Sequence, residues 1–178
     1  YFPRFLRRRF CFTTLDTVVD AIHRRDWTGV PAGAAVLTFD DGPNPAATPA
    51  LLDGVTHVFH LAAQAGVRKS WGREFQIYTT LNVDATQMLL EACVGRPIER
   101  VVYASSSSVY GDHVPLPMRE EVPLHPVSPY GVTKLAAEQL CYLYFVNHGV
   151  PTVSLRYFTV YGPRQRPDMA FPRILDAL

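Results

Sequence analysis

The chain has 178 residues, 48% hydrophobic and 19% charged, and its 17 Lys and Arg against 16 Asp and Glu leave a formal net charge of +1. That length fits one domain or the remains of two, with enough apolar residues for a sizeable core. The charge balance gives no reason to expect nucleic acid or a membrane surface as partner, and polar residues interrupt every apolar stretch, so no membrane-crossing helix is expected.

In chain order, Arg4, Arg7, Arg8 and Arg9 surround Phe5, Leu6 and Phe10 and read as a solvated face, a basic anchor being the other reading. Thr14 is placed to cap a helix with Leu15, Val18, Val19 and Ile22 on one face. Gly29, Pro31 and Gly33 make a break, residues 34–39 suit a short buried strand, and Asp40-Asp41-Gly42-Pro43 ends it. A short helix is expected over 46–53 and a second strand over 55–61. Apolar residues at Phe75, Tyr78, Leu81, Met88, Leu89 and Ala92 predict a long helix over 73–94. A third strand over 100–104 leads into a proline-rich loop over 111–129. The clearest helix runs from Tyr130 to His148, and a fourth strand from Thr152 to Tyr157. Strands alternating with helices indicate an α/β protein. Cys11, Cys93 and Cys141 are odd in number and lack metal-ligand spacing, which favours a reducing compartment. With no signal-peptide pattern, the expected location is cytoplasmic.

Tyr130 and Lys134 fall one helical turn apart and share a face. A nearby cation favours the phenolate, so Lys134 is expected to lower the pKa of Tyr130 and make it a base near neutral pH. Upstream, the third strand ends in Ser105-Ser106-Ser107-Ser108, at the kind of strand terminus where open α/β sheets contact ligands. A polar turn capping the strand is the alternative for the serines alone.

Several segments, in order and at matching spacing, resemble the extended short-chain dehydrogenase/reductase family, in particular its nucleotide-sugar epimerases and dehydratases. They are Val58-Phe59-His60-Leu61-Ala62-Ala63-Gln64-Ala65-Gly66, Asn82-Val83-Asp84-Ala85-Thr86, the stretch from Ser105 to Gly111, Ser128-Pro129-Tyr130-Gly131-Val132-Thr133-Lys134, and Leu155-Arg156-Tyr157-Phe158-Thr159-Val160-Tyr161-Gly162-Pro163-Arg164-Gln165. The resemblance covers residues 54–178. It implies NAD as cofactor, with Tyr130 removing the proton of the sugar 4-hydroxyl and Lys134 tuning Tyr130 and holding the nicotinamide ribose. Ser106 would hydrogen-bond the reacting oxygen. Ala62, Ala63, Asn82 and Tyr157 match positions lining the cofactor.

Dehydratases and decarboxylases of this family carry an acidic residue just after the Ser/Thr, where this chain has Ser107 and Ser108, so the resemblance is to the epimerases. Thr159 stands where many relatives have Asn, and residues 159–170 look like UDP-glucuronate 4-epimerases. Ser107, Ser108, Thr159, Arg164 and Arg166 are the candidate substrate contacts. The two arginines suit a diphosphate or a carboxylate, since a guanidinium binds either bidentately; solvated loop arginines are the alternative. The implied partner is a UDP-linked uronic acid. Relatives dimerise through two long helices, which residues 73–94 and 130–148 could supply.

The family needs a glycine-rich turn after its first strand to hold the pyrophosphate. No such pattern precedes residue 54, where the glycines are Gly29, Gly33 and Gly42. The expected fold is therefore a partial Rossmann-like doubly wound parallel sheet lacking its glycine-rich first βαβ unit. Instead, Leu37-Thr38-Phe39-Asp40-Asp41-Gly42-Pro43-Asn44-Pro45 resembles the first motif of NodB-like polysaccharide deacetylases, implying Asp40 as base and Asp41 as metal ligand. That family also needs a His-x-x-x-His pair, which the chain lacks. His57 and His60, on opposite faces of a strand, cannot share a metal, so no metal site is expected.

The expected division is 1–53, a deacetylase-like fragment, and 54–178, the central part of an epimerase domain. The strand over 34–39 could pair with the edge of the strand over 55–61 as a substitute for the missing unit. Asp40 and Asp41 would then lie where the diphosphate docks and weaken NAD binding. Three readings stay open: a nucleotide-sugar 4-epimerase, a metal-dependent carbohydrate deacetylase, and a catalytically silent fragment.

Overall fold

The computed structural model describes residues 34–37, 48–162, 165, 169–175 and 177. The helix expected at Thr14, the carboxylates Asp40 and Asp41, and the arginines Arg164 and Arg166 lie outside them. Strand β1 (Ala34–Leu37) is followed by the helical turn α1 (Thr48–Leu51) and β2 (His57–His60). Next comes a continuous helical run of α2 (Phe75–Tyr78), a wide π turn (Thr79–Asp84) and α3 (Ala85–Cys93). Strand β3 (Arg100–Ser106), a 3-10 turn (Ser107–Val109), α4 (Pro129–His148), β4 (Thr152–Tyr157) and α5 (Ala170–Leu175) complete the order.

The four strands form one parallel sheet in the order β1-β2-β3-β4. β1 pairs with β2 from Ala34 opposite His57 to Leu37 opposite His60, so the N-terminal strand does occupy the edge of β2. β2 pairs with β3 from His57 opposite Arg100 to His60 opposite Tyr103, and β3 with β4 from Val101 opposite Thr152 to Ser106 opposite Tyr157. This parallel α/β arrangement is the Rossmann-like sheet the sequence implies. β3 runs two residues beyond its expected end, because Ser105 and Ser106 keep the ladder to Arg156 and Tyr157 although their side chains are polar.

One sheet face carries the core. Val58 from β2 and Val101 and Tyr103 from β3 pack with Leu89, Leu90 and Cys93 of α3 and with Ala137, Cys141 and Tyr144 of α4. His60 is buried among them, its Nε2 2.9 Å from Thr86 Oγ1. Thr86 donates its own hydroxyl proton to the Asn82 carbonyl at 2.7 Å, so His60 must be the donor in the first bond. Burial, with Lys134 adding to it, lowers the His60 pKa to about 3, so the ring is neutral. His57, by contrast, contacts Thr56 Oγ1, and the two histidines have separate surroundings, as their strand spacing requires.

α4 forms where its caps dictate. The Ser128 side chain accepts the Gly131 N–H at 3.0 Å, and Pro129 occupies the first turn, where its missing N–H costs nothing. At the other end Gly149, at φ 69°, donates to the Phe145 carbonyl while Val150 donates to Tyr144, a turn that a residue with a Cβ adopts only with strain. The buried residues Gly131, Lys134, Ala137, Glu138, Cys141 and Tyr144 trace one stripe at helical spacing. Tyr144 also ties α4 to α3, donating to Glu91 at 2.6 Å and accepting from Gln87 at 2.8 Å.

Among the described residues no helix is long and apolar enough to cross a membrane. Leu89 is wholly buried at the centre of the core. Leu89→Ala is expected to destabilise the fold by about 3 kcal/mol, read as a lower urea midpoint with unchanged slope.

Candidate active site

The polar residues of interest gather where β2, β3 and β4 end. Beyond β2 the chain turns through residues 61–66, and two side chains of the helical run brace it. Tyr78 donates its hydroxyl to the carbonyls of Gly66 at 2.7 Å and Ala65 at 3.2 Å. Asn82, buried in the π turn, accepts the Gln64 N–H at 2.7 Å and donates to the Gln64 carbonyl at 3.2 Å. Its amide also donates to Thr133 Oγ1 at 3.0 Å, and Thr133 donates to the Tyr130 carbonyl at 2.8 Å. Asn82 thus joins the wall containing Ala62 (buried) and Ala63 (half-buried) to the first turn of α4.

Beyond β3, Ser106 begins the 3-10 turn, accepting the Ser108 N–H and donating to the Ser108 hydroxyl, both at 3.2 Å. α4 starts directly against this turn. A Cβ on Gly131 would lie 2.5 Å from the Ser108 carbonyl oxygen and 2.9 Å from Pro126 Cβ, so only glycine lets helix and turn approach this closely. That contact brings Tyr130 beside the serines, its ring edge-on to Tyr78 at 6.2 Å.

Lys134 is 3% exposed and donates to the Ala104 carbonyl at 2.9 Å. Its Nζ stands 5.0 Å from the centre of the Tyr103 ring and 6.0 Å from that of Tyr130. Burial brings the Lys134 pKa down to about 8. The pKa of Tyr130 moves the other way. Burial raises it, a hydrogen bond with Ser106 opposes the rise, and Tyr78 adds to it. This corrects the expectation of a lysine-depressed phenol: the ammonium is engaged by Ala104 and faces Tyr103 more closely than Tyr130, so the loss of hydration dominates.

The structure therefore brings together Ser106, Tyr130, Lys134, Asn82, Ala62 and Ala63, with Ser107 and Ser108 in the adjoining turn. Tyr157 ends β4, 47% exposed, and Thr159 is exposed beyond it. Composition and spacing alone did not single out Ser105, Glu138 and Arg156. Ser105 donates to Glu138 Oε1 at 2.5 Å, and Arg156 donates to both Glu138 oxygens, with the shortest contact 2.9 Å. A signal existed: Glu138 lies one turn beyond Lys134, on the stripe that begins at Tyr130. Among the described residues no group of three or more His, Cys, Asp or Glu is arranged to hold a metal ion.

Lys134 and Lys69 are the only lysines of the chain, so ε-carbon NMR of labelled lysine reads Lys134 without ambiguity. A titration midpoint near 8 is expected, against 10.5 for an ordinary lysine. The unfolded chain then binds more protons above pH 8, so stability rises with pH from about 8. The buried thiols Cys93 and Cys141, raised to about 11 and about 12 from 9.0, oppose this above pH 9. Between pH 8 and 9 the parent protein should gain stability in urea titrations, and Lys134→Met should not.

The sequence pattern of the NAD dependent epimerase/dehydratase family matches residues 18–178. The uncharacterised UDP-glucose epimerase YtcB of Bacillus subtilis is 55% identical over 125 residues, which are 70% of this chain and 39% of that protein. UDP-glucuronate 4-epimerase 1 of Arabidopsis thaliana is 45% identical over 118 residues, 65% of this chain and 27% of the plant enzyme. Among solved structures, UDP-glucuronic acid 4-epimerase from Bacillus cereus, in complex with UDP-glucuronic acid and NAD, superposes with a TM-score of 0.70 at 49% identity. The superposition covers 75% of this chain and 43% of that one. MoeE5, in complex with UDP-glucose and NAD, gives 0.71 at 40% identity over 94% of this chain and 57% of its own. The chain thus spans well under half the length of the curated relatives it matches, and with the family pattern extending over residues 18–178 it belongs to the NAD dependent epimerase/dehydratase family.

Proposed function

We propose that this chain is the catalytic segment of an NAD-dependent nucleotide-sugar 4-epimerase acting on a UDP-linked uronic acid. The observation that carries the reading is the meeting of Ser106, Tyr130 and Lys134 at the ends of β3 and the start of α4. The donor set suits a nicotinamide nucleotide: an ammonium has three N–H donors and Ala104 takes one, leaving donors for a ribose diol. Ala62 and Ala63 offer the adjacent small-residue wall, held in place by Asn82. When bound, NAD supplies reversible hydride acceptance at the sugar C4.

The protein's part is proton movement and orientation. Tyr130 Oη takes the proton of the sugar 4-hydroxyl and, once the 4-keto sugar has turned its other face inward, returns it to the same oxygen, with the Ser106 hydroxyl donating to that oxygen throughout. The Lys134 ammonium stabilises the phenolate form of Tyr130, although burial keeps the resting phenol protonated at neutral pH. Turnover is accordingly expected to climb from neutral pH to about 8 and to fall beyond it, where Lys134 loses its charge, read as a bell-shaped pH–rate profile. Ser107, Ser108 and Thr159 are the proposed sugar contacts, and Arg164 and Arg166 the proposed anion contacts. The Bacillus cereus enzyme bound to UDP-glucuronic acid supports a uronic acid as the sugar.

We place a boundary near Asp53-Gly54, where the sequence resemblance changes; the match to YtcB takes in 70% of the chain, while the family pattern reaches back to residue 18. The exposed apolar residues Ile77 of α2 and Tyr142, Leu143 and Val146 of α4 make these helices the proposed contact for a second copy of the chain. A catalytically silent segment is the second reading, favoured by the 39% of YtcB that the match covers.

Two measurements decide. NADH should bind saturably, with a dissociation constant of roughly a hundred micromolar, seen as enhanced nicotinamide fluorescence. With NAD present, UDP-glucuronate should be converted to its 4-epimer, and Tyr130→Phe should slow this at least about a hundredfold while leaving NADH affinity intact. No binding at millimolar NADH, or turnover indifferent to Tyr130→Phe, overturns the reading.

A further inference from the structure

We propose that Glu138 and Arg156 are positioning residues, an ion pair that fixes the Tyr130–Lys134 stripe of α4 against the ends of β3 and β4 and fastens the 111–128 loop beside it. The inference rests on the epimerase reading and assigns roles to two side chains that reading does not use. Tyr130, Lys134 and Glu138 follow one another at single-turn spacing, and two of them are tied to consecutive residues of β3. Lys134 donates to the Ala104 carbonyl, and Glu138 accepts from the Ser105 hydroxyl. Two adjacent anchor points set both the height and the rotation of the helix on the strand. Ser106 is the next residue along β3, so the anchor on Ser105 also sets where the catalytic serine begins its turn.

Arg156 extends the clamp. Its Nε and one terminal nitrogen engage Glu138, at 2.9 to 3.2 Å. The other terminal nitrogen donates to the Glu120 carbonyl at 3.0 Å and to the Tyr110 hydroxyl at 3.4 Å. The guanidinium also lies 5.0 Å over the Tyr110 ring, which in turn stacks on Phe158 at 6.3 Å. One side chain therefore joins α4, β4, the exit of β3 and the loop. Such a fork requires arginine, since a lysine ammonium cannot reach these acceptors in one plane. An ion pair with one partner buried and the other partly exposed, as Glu138 and Arg156 are, contributes little net stability compared with apolar residues of the same volume. Its placement at the strand ends, against the catalytic stripe, is what the positioning role explains.

The test reads Lys134 directly and needs no cofactor. The groups facing its ammonium are His60 from β2, Tyr103 from β3, and Tyr130 and Cys141 from α4. None is altered in the variants Glu138→Ala, Arg156→Lys and the apolar pair Glu138→Leu/Arg156→Met. Loosening the clamp admits water to Lys134, so its ε-carbon midpoint should rise from about 8 by at least about one unit in Glu138→Ala. Arg156→Lys should move it less, in the same direction. The apolar pair should melt cooperatively near the parent temperature and still show the raised midpoint, with kcat reduced at least about tenfold and KM within about twofold. Parent-like titration of Lys134 in the folded variants overturns the proposal. Should Glu138→Ala not fold, the other two variants decide it in the same way. Failure of the epimerase reading looks different: the parent protein itself would neither bind NADH nor turn over.

Discussion

A lysine ammonium buried to within a few per cent of full closure must find an acceptor, and Lys134 finds the carbonyl of Ala104. Leaving that charge unpaired in the core would cost far more than a surface helix gains by packing. The bond therefore determines how α4 lies on β3. Once it forms, Tyr130 is delivered one turn earlier to the Ser106 turn, and Glu138 one turn later to Ser105 and Arg156. The glycine at 131 permits the approach, and Ser128 terminates the helix at the right residue. The meeting of Ser106 and Tyr130 and the packing of α4 are thus consequences of the same electrostatic requirement.

The same burial governs the chemistry of the pair. Water is removed from both the phenol and the ammonium, and each responds by favouring its neutral form. The two groups are thereby driven apart in proton affinity, the ammonium falling to about 8 while the phenol rises above its ordinary value. A phenol held this way is weakly ionised at rest. Asn82 and Tyr78 contribute from the other side by bracing residues 61–66, so that this turn and the phenol are parts of one hydrogen-bonded body.

How much of this was legible in the sequence depended on what carried the signal. Strong periodicity located α4 and β4 within a residue, because alternation and helical spacing are imposed by the buried face itself. β3 was cut short at Ala104, since Ser105 and Ser106 look like a turn even though their backbones continue the ladder. The expected pairing of the N-terminal strand with β2 is present, because a parallel edge recognises backbone rather than side chains. That Ser106, Tyr130 and Lys134 lie near one another was readable from motif order. The direction of the Tyr130 pKa was not, because it depends on where the Lys134 side chain ends, and spacing along a helix does not reveal that. Glu138 and Arg156 escaped for a similar reason: helical spacing puts Glu138 on the Lys134 stripe but does not reveal its partner, which lies 18 residues away on β4.

The long helix over 73–94 was also expected, but as a uniform cylinder, and its wide turn at Thr79–Asp84 has a consequence of its own. A helix that accommodates one extra residue per turn changes phase, so the parts before and after it present different angular sectors. Here the earlier part directs Tyr78 toward the Ala65–Gly66 carbonyls, while the later part buries Leu89, Leu90 and Cys93 in the core. Removing one residue from that turn would rotate one half against the other by roughly 100°, and the chain would keep either its loop brace or its hydrophobic seam. The π turn acts as a fixed phase shifter that lets one segment serve two perpendicular tasks.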